Sequence, residues 1–158
     1  MPALKRRKSR IKHVVPIRTL EDSPSTLDRR LITAYLNTAY RLPSLGLSVR
    51  VNQPCPALWS LLPGHSLAIV TAWNPGSRVL PDAENRLRNQ ALKNALPPHI
   101  AQVLPALGEG DAGDWPPEES WGIMDISLEE AARLAALFEQ NAFVFVEKDQ
   151  AAVLVWVR

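Results

Sequence analysis

The sequence predicts an α+β domain, a mixed and largely antiparallel sheet of about five to six strands covered by roughly three helices. Three observations carry that expectation. Helical stripes and short β-branched runs follow one another in the order α-β-(α)-β-α-β-β-α-β-β, which lacks the steady βαβ rhythm of a doubly wound fold. The chain closes with two apolar runs, NAFVFVEK and AAVLVWV, on either side of Asp149-Gln150, the pattern of a hairpin. Its 158 residues, 46% hydrophobic and 22% charged, suit one core of ordinary size.

The elements follow in order. Residues 1–22 lack sustained periodicity and read as a basic, disordered arm, leaving 23–158 as a single domain. Residues 1–18 hold seven basic side chains and no acidic one, so the other eleven basic residues face all sixteen acidic ones, a balance of −5. A helix is expected near Ser25, which can cap it, with Asp28 at the third helical position and Leu27, Leu31, Ala34, Tyr35 and Thr38 on one face. LSVRV at 47–51 alternates as a strand, and two helical turns are expected over Ala57 to Leu62. SLAIVTAW at 66–73 is apolar without alternation, which predicts a central strand covered on both faces. A helix from Asp82 to Leu96 ends at Pro97-Pro98, and His99 to Leu107 reads as a strand interrupted by Pro105. GEGDAGDWPPEE is a loop by composition and SWGIMDI a strand. Ser127 and Glu130 then form a capping box for a helix that buries Leu128, Ala131, Leu134, Ala135 and Phe138.

Several function classes find no support in the residues. The single cysteine, Cys55, rules out an internal disulfide and a cysteine-based metal cluster. The apolar runs are too short to span a bilayer, and IKHVVPIRTL at 11–20 carries charges where a secretory signal needs an unbroken apolar stretch. A cytoplasmic location is therefore expected. No HExxH or comparable set of metal ligands occurs, so no metal site and no particular cofactor is expected. Ser77 and Ser120 lack a nucleophile elbow, and the acidic group Asp111, Asp114, Glu118 and Glu119 reads as a solvated loop. No catalytic signature stands out.

The stretch VTAWNPGSRVLPDAENRLRN at 70–89 is the most informative. Asn74-Pro75-Gly76-Ser77 has the chemistry of a type II turn, with Pro75 fixing the first central dihedral and Gly76 taking the positive φ. In the helix that follows, Leu87, Ala91, Leu92, Ala95 and Leu96 mark an apolar arc. Arg88 projects within that arc, with Asn85 at its edge and Asn89 just beyond. Polar groups there must reach past the sheet or be satisfied in a buried network, because each orphaned group costs about 1–3 kcal/mol. Asn85 and Asn89, four residues apart, can together grip a backbone segment, a carboxylate or a ligand.

Taken together, TAWNP at 71–75, ENRLRN at 84–89 with Leu92 and Leu96, EES at 118–120 and FEQNA at 138–142 resemble an uncharacterised bacterial family, domain of unknown function 3293. The resemblance covers roughly residues 32–157, with Tyr35, Thr38 and Tyr40 resembling its N-terminal helix. It implies a shared site at Trp73, Asn74, Asn85, Arg88, Asn89, Glu119, Ser120, Gln140 and Asn141, and it names no chemistry. Within that set Glu119 is expected to pair with Arg88, since a charge-assisted contact makes a partly buried arginine tolerable.

Three functional expectations follow. The leading one is binding of a small anionic or nucleotide-like ligand in a polar pocket at the end of the SLAIVTAW strand, with a purely structural network as the competing reading of the same residues. A second is an accessory role on nucleic acid or the ribosome, through phosphate contacts from Lys5, Arg6, Arg7, Lys8, Arg10 and Lys12. The third is a protein-interaction module that adds a partner's strand to the hairpin edge near Val153 to Val157.

Overall fold

A computed structural model describes residues 14–113 and 115–158. Strand β1 (Val15–Ile17) is followed by helix α1 (Arg29–Leu36), the hairpin β2 (Thr38–Leu42) and β3 (Leu47–Val49), and the short helix α2 (Pro56–Leu61). Then come β4 (Ser66–Val70), α3 (Asp82–Asn94), β5 (Val103–Gly110) and β6 (Glu118–Met124). Helix α4 (Leu128–Leu137) and the hairpin β7 (Ala142–Glu147) and β8 (Val153–Trp156) complete the chain. All strands join one sheet in the order β1-β8-β7-β4-β6-β5-β2-β3, and every pairing is antiparallel.

The expectation of a mixed sheet of five to six strands under three helices is thus corrected, among the described residues, to eight antiparallel strands with four helices. Strands β1 and β2 account for the difference. Asp28, not Ser25, caps α1, its carboxylate accepting the backbone N–H groups of Arg30 and Leu31 at 2.9 and 3.4 Å. The helix ends at Leu36 with Asn37 as its C-cap, and TAYRL continues as β2, with Tyr40 and Leu42 turned into the core. Val15–Ile17, expected in the disordered arm, is strand β1, with Val15, Pro16 and Ile17 opposite Trp156, Val155 and Leu154. The β8 edge expected to receive a partner's strand is therefore occupied by the chain's own N-terminal strand.

The sheet curls. Beyond β3, Val51 bridges Ala152 and Pro54 bridges Ala151, so chain leaving one edge strand meets the β7–β8 hairpin near the other edge. Val51 and Ala152 belong to a core cluster with Leu42, Val49, Leu67, Ile69, Val144 and Leu154, which marks the face that this closure encloses. Helices α1 and α2 plug that face through Ile32 and Leu58, both without exposure. Against the opposite face lies a second cluster in which Leu92 of α3 and Ala131, Ala132 and Ala135 of α4 meet Ala68, Val70, Phe143 and Phe145. Strand β4 contributes to both clusters and runs between β7 and β6, the central position its unbroken apolar run predicts. In β5, Pro105 is accommodated because the ladder to β2 begins only at Leu107.

Candidate functional site

The register brings the predicted residues to one end of the sheet. At that end β4 leaves, β6 and β7 begin and β8 finishes. Past Val70 the chain remains buried through Ala72, Trp73, Asn74 and Pro75 but has no further strand partner, so its backbone polar groups need other partners.

Helix α3 supplies most of them. The Asn89 amide oxygen accepts the Ala72 N–H at 2.7 Å, and its nitrogen donates to the Glu119 carbonyl at 2.8 Å. Arg88 donates through Nε to the Ala72 carbonyl at 2.9 Å and through one terminal nitrogen to the Phe138 carbonyl at 2.8 Å. Asn85, with no exposed surface, accepts the Asn74 N–H at 2.9 Å and donates to the Asn74 side-chain oxygen at 2.8 Å and the Leu80 carbonyl at 3.2 Å. Gln140 reaches the Trp73 carbonyl at 3.1 Å. No buried side-chain nitrogen or oxygen among the described residues lacks a partner. Three residues of α3 thus replace the missing strand neighbours of the segment after β4.

The turn itself follows its expected chemistry. The Ser77 N–H donates to the Asn74 carbonyl at 3.0 Å, and Gly76 sits at φ 60°. A Cβ on Gly76 would also collide with the Arg158 guanidinium. Asn74 adopts φ 46°, unusual for a residue with a side chain, and is held there by Asn85 and by the Leu80 N–H on its own oxygen at 3.0 Å. The αL tolerance of asparagine and its ability to brace a turn make it suited to this position.

The expected pairing of Glu119 with Arg88 does not form. Strand alternation turns Glu119 outward, where its side chain is 54% exposed and 4.0 Å from Arg86, while the Arg88 donors go to carbonyls. Glu118, next to it, faces the other way and meets the network: its Oε1 accepts from the Asn74 amide at 3.3 Å and from the Trp115 indole at 3.0 Å. Ser120, buried on the Glu118 side of β6, donates to the Glu118 carbonyl at 3.4 Å. Asn141 donates to the Ser77 hydroxyl at 3.1 Å. Lys5, Arg6, Arg7, Lys8, Arg10 and Lys12 lie outside the described residues.

Sequence reasoning left Glu118 out of the site, reading it as part of a solvated acidic loop. Burial raises the Glu118 carboxyl above its ordinary range, against the opposing effect of the Trp115 and Asn74 hydrogen bonds. Burial likewise pushes the Tyr35 hydroxyl, beside Asn141, up to about 12, and it raises the Tyr40 hydroxyl, which also feels the charge of Glu118. The signal that finds Glu118 is parity: Glu118, Ser120, Gly122 and Met124 share one face of β6, and Met124 is core. A separate cleft of about 550 Å³ opens at the opposite end of the sheet, between His65, Ser66, Ser127 and Lys148, and holds none of the predicted residues.

No curated protein and no solved structure matches the chain. Tyr35 and Tyr40 lie outside the span that does find a counterpart, whereas all nine residues from Trp73 to Asn141 lie within it. Residues 70–143, from the end of β4 to the start of β7, match the family described as Protein of unknown function (DUF3293), the one that the TAWNP and ENRLRN motifs resemble.

Proposed function

We propose that the domain binds a small polar ligand at the end of the sheet where β4 leaves, with the asparagine and arginine network as a rigid floor and Glu118 as the contact group. The observation that carries this reading is the state of Glu118. Both donors it receives are neutral and both fall on Oε1, so among the described residues Oε2 has no partner. A half-buried carboxylate held this way has acceptor capacity directed at whatever enters beside Trp115. The amides and Arg88 are engaged with the protein's own backbone, which favours a ligand that presents donors to a carboxylate over one that presents an anion to a guanidinium.

A mixed set of small polar fragments, followed by backbone-amide shifts in the full chain, tests the proposal. Shifts centred on Glu118, Trp115, Tyr35 and Tyr40 support it. Fragments that act only in the cleft near His65 and Lys148, or on no residue, would overturn it.

A further inference from the structure

Resting on that reading, we propose that the ligand carries an organic ammonium group, a primary or methylated amine seated between Glu118 Oε2 and the aromatic rings around it. The register sets Tyr40 opposite Gly108 and Gly108 opposite Glu118, so the three form a row across β2, β5 and β6. Neighbouring strands lie about 4.8 Å apart, which puts the Tyr40 and Glu118 backbones about 10 Å from each other. The residue between them has no side chain. A Cβ on Gly108 would stand 3.7 Å from the edge of the Tyr40 ring and 3.8 Å from both the Thr38 methyl and the Glu118 carbonyl oxygen, ordinary contact distances, so the glycine leaves room for one methyl-sized group in the row.

The groups around this gap share one chemistry. Trp115 approaches Glu118 with its indole N–H, leaving the ring faces for other contacts, and is 47% exposed. Tyr35 packs edge to face against Trp156 at 6.2 Å, and its hydroxyl, like that of Tyr40, feels the charge of Glu118. Aromatic faces beside a carboxylate attract cations, and partial desolvation strengthens that attraction. A half-buried carboxylate with no arginine or lysine bound among the described residues is complemented by a ligand that brings the missing positive charge. An anion would meet repulsion there. A neutral polyol would satisfy the hydrogen bond and leave the charge uncompensated.

Calorimetric titration of the full chain with putrescine and with choline, each against a neutral isostere of the same shape, tests the inference. The amines are expected to bind at least about tenfold more tightly than the isosteres, and Glu118→Gln to weaken them by a similar factor. Gly108→Ala, whose methyl meets the Tyr40 ring at an ordinary contact distance and leaves the carboxylate in place, is expected to weaken binding by a similar factor without lowering Tm. Isosteres that bind as well as the amines, amine binding that both variants retain, or fragments that shift Glu118 while no amine does, would each overturn the ammonium assignment and leave the ligand reading standing. The absence of any fragment effect at Glu118 would remove both.

Discussion

Asn85 shows how much one side chain does in this fold. Its amide serves two backbone groups, the Asn74 N–H and the Leu80 carbonyl, and also fixes the Asn74 side chain. Replacing it with alanine strands both backbone groups in a buried place at about 1–3 kcal/mol each. We expect Asn85→Ala to cost about 3 kcal/mol and to lower Tm by roughly 6–12 °C. Asn85→Asp keeps the shape but sets an acceptor against the Asn74 side-chain oxygen and the Leu80 carbonyl, so its loss should be larger at neutral pH than in acid, where the protonated carboxyl can donate. Thermal unfolding of both variants at two pH values checks this, and an unchanged Tm for the alanine variant would refute the bracing role. The polar character of this site was legible only in part: Leu87, expected on the apolar arc of α3, is 74% exposed, whereas Asn85 and Asn89, expected at its edge and just beyond, are buried with Leu92. The identity of its carboxylate was not. Glu118 and Glu119 are chemically alike, and only the register of β6, which follows Pro116-Pro117, decides which one turns inward.

Among the elements, those with a local signature were readable. Ser127 and Glu130 form the expected capping box on α4, with the Ser127 hydroxyl accepting the Glu130 N–H at 3.1 Å and the Glu130 carboxylate accepting the Ser127 N–H at 3.2 Å. Unbroken apolar character likewise identified β4. Strand β2 was hidden because Leu31, Tyr35 and Thr38 keep a helical spacing, so the period runs past the true end of α1 at Leu36. Strand β1 is three residues long and abuts a basic run, too short for any period to register. Its contribution is tertiary: Ile17 has no exposure, and β1 covers the outer edge of β8. Two truncations separate strand from arm. Compared with removal of residues 1–13, removal of residues 1–22 also strips the buried Ile17 side chain, about 2–3 kcal/mol, and uncovers an apolar edge. The longer truncation is expected to melt earlier and to self-associate in sedimentation. Equal melting of the two would show that β1 adds nothing.

At the scale of the whole molecule, the carboxylates divide by the sign of their effect on folding. Asp22 is held below its ordinary range by the backbone N–H groups of Arg18 and Thr19, Asp111 by Arg50 and Glu130 by His99. These groups favour the folded state once ionised, and that contribution disappears as pH falls through their lowered values. Glu118 acts in the opposite direction. Its folded value is raised above the ordinary 4.5, so the folded chain holds the proton more tightly than the unfolded chain does. Stability therefore falls as pH rises from 4.5 through the raised value, and the penalty persists at every higher pH. Glu118→Gln removes the charge and retains the acceptor for Asn74 and Trp115, placing its amide nitrogen on the side where Oε2 has no described partner. The variant should unfold at higher urea than the parent at pH about 7, and the two should converge at pH about 4 and below, where both carry a neutral side chain at this position. A constant difference across that range would mean that ionisation of Glu118 has no linkage to folding. A variant weaker than the parent at neutral pH would mean that the hydrogen bonds from Asn74 and Trp115, or a cation on Oε2, outweigh the desolvation of the carboxylate.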